Sequence, residues 1–266
     1  MKKLSTVCAI AFTACSVTFT SIAQDNHLYI GANPAAQVNF YNGADFSTDI
    51  NYVNTLTHTN AGPYGGYYVG NITFTALSSI DPEPAAPGSV IYAQLLSVQG
   101  PAGSAFAFWE RAATAPTISL SAGTSGTDLF RVSENDGSPG SDPHGHVHGR
   151  RFTATTPGIY TVTFRALDLS TNGPGGGPIQ TPSDPLKIYF QAGINLKSVK
   201  PDLDGVHVTF GAKFGSNWQV EANGNLNAAT NWIPLSNPIA GSDQFIEVID
   251  PRPQGTNCFY RVRSTP

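Results

Sequence analysis

The chain has 266 residues, a formal net charge of −4 and only 12% charged residues, and it carries no long basic run. That balance argues against nucleic acid or an anionic membrane surface as a partner. Gly (27) and Pro (20) are plentiful, and no window of a dozen residues shows apolar spacing at i, i+3, i+4 and i+7 free of Gly, Pro or β-branched clusters, so the predicted class is all-β rather than helical or doubly wound.

Residues 1–23 place Lys2 and Lys3 before an apolar stretch and end on the small Ser21 and Ala23. This is the three-part layout of a secretory signal peptide, with cleavage before Gln24. Thr13, Ser16, Thr18 and Thr20 interrupt the stretch, which lacks the ~20 apolar residues that span a bilayer. Cys15 follows Phe12-Thr13-Ala14, a poor lipoprotein signal, so lipidation is a minor alternative. The expected location is secreted, periplasmic or cell surface, with no transmembrane segment after cleavage. Losing Lys2 and Lys3 takes the net charge from −4 to −6 and leaves Cys258 as the remaining cysteine. No intramolecular disulfide is then expected, even in an oxidising compartment. Residues 24–266 exceed a single sandwich of ~100–150 residues. We therefore expect two β-sandwich modules, a larger one over 24–193 and a smaller one over 194–266.

Strand-like runs follow between turn clusters: 27–30, 66–69, 71–77, 89–98, 106–109, 117–120 and 159–167. The clearest is Tyr160 to Ala166, where Tyr160, Val162, Phe164 and Ala166 share one face and Thr161, Thr163 and Arg165 the other. Pro157-Gly158 sets the turn before it. Residues 170–185, STNGPGGGPIQTPSDP, form no regular element and are expected to be a functional or mobile loop. Strand character returns over 186–192, and Gly193-Ile194-Asn195 marks the expected boundary. Further strands are predicted at 206–210, 218–221, 231–235, 245–249 and 258–263, with Cys258 a small core residue of the last.

One segment stands apart chemically. Residues 141–152, SDPHGHVHGRRF, hold three of the six histidines in five positions. On an extended backbone alternate side chains share a face at ~6.5–7 Å, so two imidazoles can meet at one ion. Neutral imidazole suits zinc and copper, and a strand-borne His-x-His needs one or two further ligands from elsewhere in the fold. The expected metal ligands are His144, His146 and His148 with His27. His58, Asp142 and Asp136 are the other candidates for completing the site. The competing reading is a solvated Gly-rich loop. Arg150 would share the histidine face of an ideal strand and oppose a bound cation. A salt bridge to Asp142, Asp168 or Asp184 is the expected alternative fate of the arginines.

No P-loop, dinucleotide fingerprint, His-Glu-x-x-His or Gly-x-Ser-x-Gly elbow is present. Ser125 reads as a turn residue. Glu134 and Asp136 are the nearby acids that a metal-dependent hydrolase would use as a base, and surface solvation is the plainer reading of them. Tyr64, Tyr67 and Tyr68, or Phe106, Phe108 and Trp109, would offer a sugar-stacking platform, against ordinary core packing.

The segment HVHGRRFTATTPGIYTVTFRA resembles the actinobacterial-type surface-anchored domain, also called the choice-of-anchor M domain. His146 and His148 match that family's His pair, Phe152 its aromatic residue, Pro157-Gly158 its turn and Tyr160 its Tyr-led strand. Residues 95–108 are similar to its strand ending in Gly-Pro, and His27 to its opening His. Arg150-Arg151 departs from the family's Trp-containing stretch, and the spacing to the turn is longer. The resemblance spans most of 24–193 and implies an exported or surface protein that binds metal. The last 70 or so residues resemble the immunoglobulin-like or fibronectin-type-III-like modules of verrucomicrobial and planctomycete exported proteins. That likeness rests on NWQVE (217–221), Asn231-Trp232, Val248-Ile249-Asp250-Pro251 and FYRVR (259–263), and implies a structural or attachment role. With neither a wall-sorting motif nor an apolar tail, any surface attachment is expected to be non-covalent. The functional expectation is an exported, non-enzymatic protein binding zinc or copper, with a carbohydrate-binding or adhesive surface protein and a metal-dependent hydrolase as alternatives. Its partner would be a metal ion or an extracellular polymer.

Overall fold

A computed structural model describes residues 26–227, 231–251 and 258–265. The leader expected over 1–23 lies outside them. The strands in chain order are β1 (His27–Ala32), β2 (Val38–Phe40), β3 (Val53–His58), β4 (Tyr68–Gly70), β5 (Thr73–Ala76), β6 (Ile91–Gln99) and β7 (Ala105–Trp109). There follow β8 (Ile118–Ser121), β9 (Thr124–Ser125), β10 (Leu129–Arg131), β11 (Gly145–His146), β12 (Arg151–Ala154), β13 (Gly158–Asp168) and β14 (Leu186–Ala192). The last group is β15 (Leu196–Asp202), β16 (Gly205–Ala212), β17 (Asn217–Asn223), β18 (Ile233–Pro234), β19 (Ile239–Ala240), β20 (Gln244–Asp250) and β21 (Phe259–Thr265). Among the described residues the helical segments are short 3-10 turns, and none is long or apolar enough to cross a membrane. The protein is all-β.

Strands β10-β6-β13-β14-β3-β4-β12-β7-β8 hydrogen-bond in that order. The short β9, reached from β8 through a turn, pairs back onto β6. The ten-stranded sheet therefore comes nearly full circle. A second sheet, β11-β5-β1-β2, packs with it on a shared core. Leu28, Ile30 and Phe74 from the small sheet meet Phe106, Phe108, Phe152, Phe164 and Phe190 from the large one. The Phe106 and Phe190 rings lie 4.8 Å apart, and those of Phe74 and Phe164 5.1 Å. Each such ring taken out of water contributes ~1.5–3 kcal/mol, which is how this core holds without a crosslink.

Strand β13 shows the predicted alternation: Tyr160, Val162, Phe164 and Ala166 are buried, while Thr161 and Arg165 stay half-exposed. Thr163 departs from it. The β13–β6 register shifts between Thr163 and Phe164, and Thr163 is buried, its Oγ1 accepting from Ser97 Oγ at 2.9 Å. At the head of the strand the buried Tyr160 donates its hydroxyl to the Thr156 carbonyl at 2.8 Å, fixing the turn that precedes it.

Residues 170–185 are held in place, by the side chain of Asp168. Its Oδ1 accepts from the backbone of Val90 and Ser170 (both 2.9 Å), and its Oδ2 from Ser170 Oγ (3.0 Å) and the backbone of Ile179 (2.9 Å) and Gln180 (3.1 Å). A carboxylate with five donors organises a segment that has no ladder of its own.

Beyond Gly193 a second cluster forms around Val208, Phe210, Trp218, Val220 and Val248. It lies between the sheet β15-β16-β20 and a sheet in which β17 pairs with β21 on one side and with β18 and β19 on the other. Glu221 on β17 is buried and binds Arg261 and Arg263 of β21 at 2.7 Å. Cys258 is half-buried and sits one residue before β21 rather than within it. The two clusters are joined by specific contacts. Gln191 grips the backbone N–H and carbonyl of Gly211 (3.2 Å each), Val53 N–H donates to the Asp243 carbonyl (2.8 Å), and Lys197 Nζ lies over the rings of Tyr189 (4.5 Å) and Phe245 (4.0 Å).

Candidate metal centre

In the small sheet the central β5 pairs with β1 on one side and β11 on the other, matching His27 with Thr73 and His146 with Thr75. Thr73 and Thr75 are two residues apart, so they share a face, and so do the partners standing opposite them. His27 and His146 therefore rise from one face of the sheet. His148 follows in the turn after β11 and reaches back over the same face. One ring nitrogen from each of the three lies within 4.8 Å of the others. The ring centroids are 4.5 Å apart for His27 and His146, 5.7 Å for His27 and His148, and 4.3 Å for His146 and His148.

The closest approach is between His146 Nε2 and His148 Nε2, at 2.6 Å. Two lone pairs cannot face each other so closely, so at this distance one ring donates an N–H to the other. Around a tetrahedral zinc with Zn–N of ~2.0–2.1 Å, ligand nitrogens stand about 3.3 Å apart. The donor set is all imidazole, which fits zinc or copper and is a poor match for calcium or magnesium.

The backbone around the cluster is fixed by several contacts. Gly145 packs so tightly that a Cβ there would fall 1.9 Å from the Val132 carbonyl oxygen. This close approach lets Glu134 N–H bond to the His144 carbonyl (2.8 Å) and His146 N–H to Glu134 Oε2 (2.8 Å). The buried Ser133 hydroxyl donates to the Pro143 carbonyl at 2.7 Å while accepting from Ile91 N–H at 2.8 Å. Thr75 Oγ1 lies 3.2 Å from His146 Nδ1. With Nδ1 carrying the proton, His146 turns a free Nε2 lone pair toward its neighbours, the orientation a ligand needs. On the other side Asn42 spans β1, accepting from Tyr29 N–H (2.8 Å) and donating to the His27 carbonyl (2.9 Å).

Partial burial, followed by the neighbouring His148, His27 and His144 imidazoles, lowers the pKa of His146 below its ordinary value, with Glu134 opposing. Its neutral, ligating form is thereby favoured at neutral pH.

Of the four histidines expected as ligands, the fold brings three together. His144 is exposed and outside the group, although near enough to act on His146 electrostatically. His58 packs against the Tyr68 ring at 4.9 Å. Asp142 anchors the loop instead, accepting from Ser79 N–H (3.2 Å), Ser79 Oγ (3.0 Å) and His144 N–H (3.0 Å). Asp136 receives Ser138 N–H and Oγ in a local turn.

The arginine expectations are corrected. The chain turns at His148-Gly149, so Arg150 leaves the histidine face and forms a two-bond pair with Glu110 (2.9 and 3.0 Å) beside the Phe108 ring. The salt bridge is made, but none of Asp142, Asp168 and Asp184 is its partner, and the objection that a guanidinium opposes a cation falls with it. Of the aromatics expected as a platform, Phe106, Phe108 and Trp109 are buried, while Tyr64, Tyr67 and Tyr68 are half-buried. Trp109 is buried with its Nε1 donating to Thr153 Oγ1 at 2.8 Å, and Tyr64 and Tyr67 pack edge-on against it. Comparison with family models, curated proteins and solved structures finds no match for the chain.

Proposed function

We propose that this chain is an exported, non-enzymatic binding protein that holds one transition-metal ion, zinc or copper, between His27, His146 and His148. The observation that carries the reading is the convergence of three imidazoles, from β1 and from the β11 turn, onto one face with ring nitrogens within 4.8 Å. Thr75 and Asn42 support it as partners that orient the ligating residues. The hydrolase alternative would need Glu134 as a base, but one of its oxygens is already engaged by His146 N–H, which favours a binding role. Export rests on the character of residues 1–23. In this reading the larger unit is a sandwich whose main layer has curled toward a barrel, and the smaller is an immunoglobulin- or fibronectin-like module. The two facing sheets around Val208, Phe210 and Trp218 support the latter.

The test is elemental analysis and zinc titration of residues 24–266 purified without a His tag. One equivalent of zinc or copper per chain is expected. His27→Ala and His148→Ala should each weaken zinc binding by roughly 100-fold, and His144→Ala and His58→Ala by about threefold at most. Equal metal content in the parent and a His27→Ala/His148→Ala double variant would overturn the reading.

A further inference from the structure

A groove of about 560 Å³ lies between β2, the 3-10 turns that follow it and the start of β14. Its size falls in the range of small-ligand sites, ~300–1,000 Å³. Its lining alternates apolar surface with hydrogen-bonding groups. Phe40 and the exposed Ile50 supply the first; Asn39, Asp49, Asp184 and Lys187 supply the second. Among the described residues Asp49, Asp184 and Lys187 make no side-chain hydrogen bond or ion pair, although a cation and two carboxylates line one groove. Asn39 goes further: its Oδ1 is shut off from water and has no hydrogen-bond partner. An unmet amide oxygen of that kind costs ~1–3 kcal/mol; Asn39 Nδ2 is not closed off in this way and makes no hydrogen bond either, so it is the amide atom left to meet a ligand.

We propose that this groove binds a short neutral oligosaccharide. A sugar ring offers C–H faces to Phe40 and Ile50 and hydroxyls that both donate and accept. Asp49 and Asp184 would accept from sugar hydroxyls, and Lys187 Nζ and Asn39 Nδ2 would donate to ring or hydroxyl oxygens. The two carboxylates outnumber the one ammonium, so a uronate or sulfated chain is repelled. This site is separate in residues from the histidine cluster and does not depend on a metal.

Saturation-transfer NMR and calorimetry on residues 24–266, without added metal, test it with cellotriose, mannotriose and chitotriose, and with trigalacturonate as the anionic control. At least one neutral trisaccharide is expected to bind with a dissociation constant on the order of 1 mM or tighter. Asn39→Ala and Lys187→Ala should each weaken it at least about fivefold, a loss of ~1 kcal/mol, with the melting temperature unchanged. His27→Ala/His148→Ala should bind the sugar as the parent does, which separates failure here from failure of the metal reading. Absence of binding by all three neutral probes, equal binding of trigalacturonate, or binding that survives both groove substitutions would each overturn the proposal.

Discussion

Gly145→Ala tests whether the histidines are held or merely near one another. The added methyl carbon would sit 1.9 Å from the Val132 carbonyl oxygen, against a closest normal approach of 3.0 Å. The two backbones must therefore part by about 1 Å. Overpacking of this kind costs ~1–3 kcal/mol. The displaced bonds, Glu134 N–H to the His144 carbonyl and His146 N–H to Glu134 Oε2, add ~1 kcal/mol each. A total of about 3–5 kcal/mol corresponds to a fall of about 6–20 °C in melting temperature for a unit of this size. The same 1 Å shift carries His146 away from His27 and should weaken zinc binding by roughly 10- to 100-fold. Calorimetric melting of metal-free protein reads the first quantity, and zinc competition against a chromogenic chelator the second. A variant that melts within about 2 °C of the parent and binds zinc equally would show that Val132 does not constrain this strand, and the argument for a built site would fail.

Asp168→Asn replaces an acceptor of five hydrogen bonds with a group whose NH₂ must face two or three of the same donors. A destabilisation of about 3–5 kcal/mol is expected, with protease cleavage appearing first within 170–185; urea unfolding within 1 kcal/mol of the parent would contradict the anchoring role. His207 Nε2 lies 2.7 Å from Asp204 and its Nδ1 3.0 Å from Glu247, and these two hydrogen bonds raise its pKa to about 9. The stability contributed by the protonated ring is then complete below the unfolded-state value of ~6.5 and disappears as pH rises through about 9. NMR titration should place the His207 ring transition near the upper value and move it toward the lower one in Asp204→Asn/Glu247→Gln; a parent transition near 6.5 would contradict the paired geometry.

The alternation over 159–167 and the apolar runs at 89–98 and 186–192 were readable because each strand carries its burial pattern within itself. Strands β3, β12 and β15 were not. Val53–His58 interleaves Asn and Thr with its apolar residues, and Arg151–Ala154 is four residues long. Over Leu196–Asp202 most side chains remain outside the core. Such segments become strands because a neighbour offers a register, on both sides for β12, which lies between β4 and β7, and on one side for β15, which pairs with β16. The order of the loop at 170–185 was hidden for a related reason. Its order comes from Asp168 at the end of the preceding strand, joined by Asn172, Gln180 and Ser183, whose partners lie far away in the chain or across the sheet and cannot be read from the loop's composition.

The histidine cluster divides the same way. Its chemistry was visible in the spacing of residues 144–148, but spacing cannot say which members of a run point together once the chain leaves the extended form. The turn at His148-Gly149 decides that, sending Arg150 to Glu110 and keeping His148 over the sheet. The third imidazole depends on a longer-range fact, that β1 and β11 flank β5 and stand in the same phase of its pleat. A one-residue slip in either pairing would send that histidine to the opposite face. The cluster therefore follows from strand register, and Gly145 and Thr75, two residues without metal chemistry, bear as directly on its geometry as the histidines themselves.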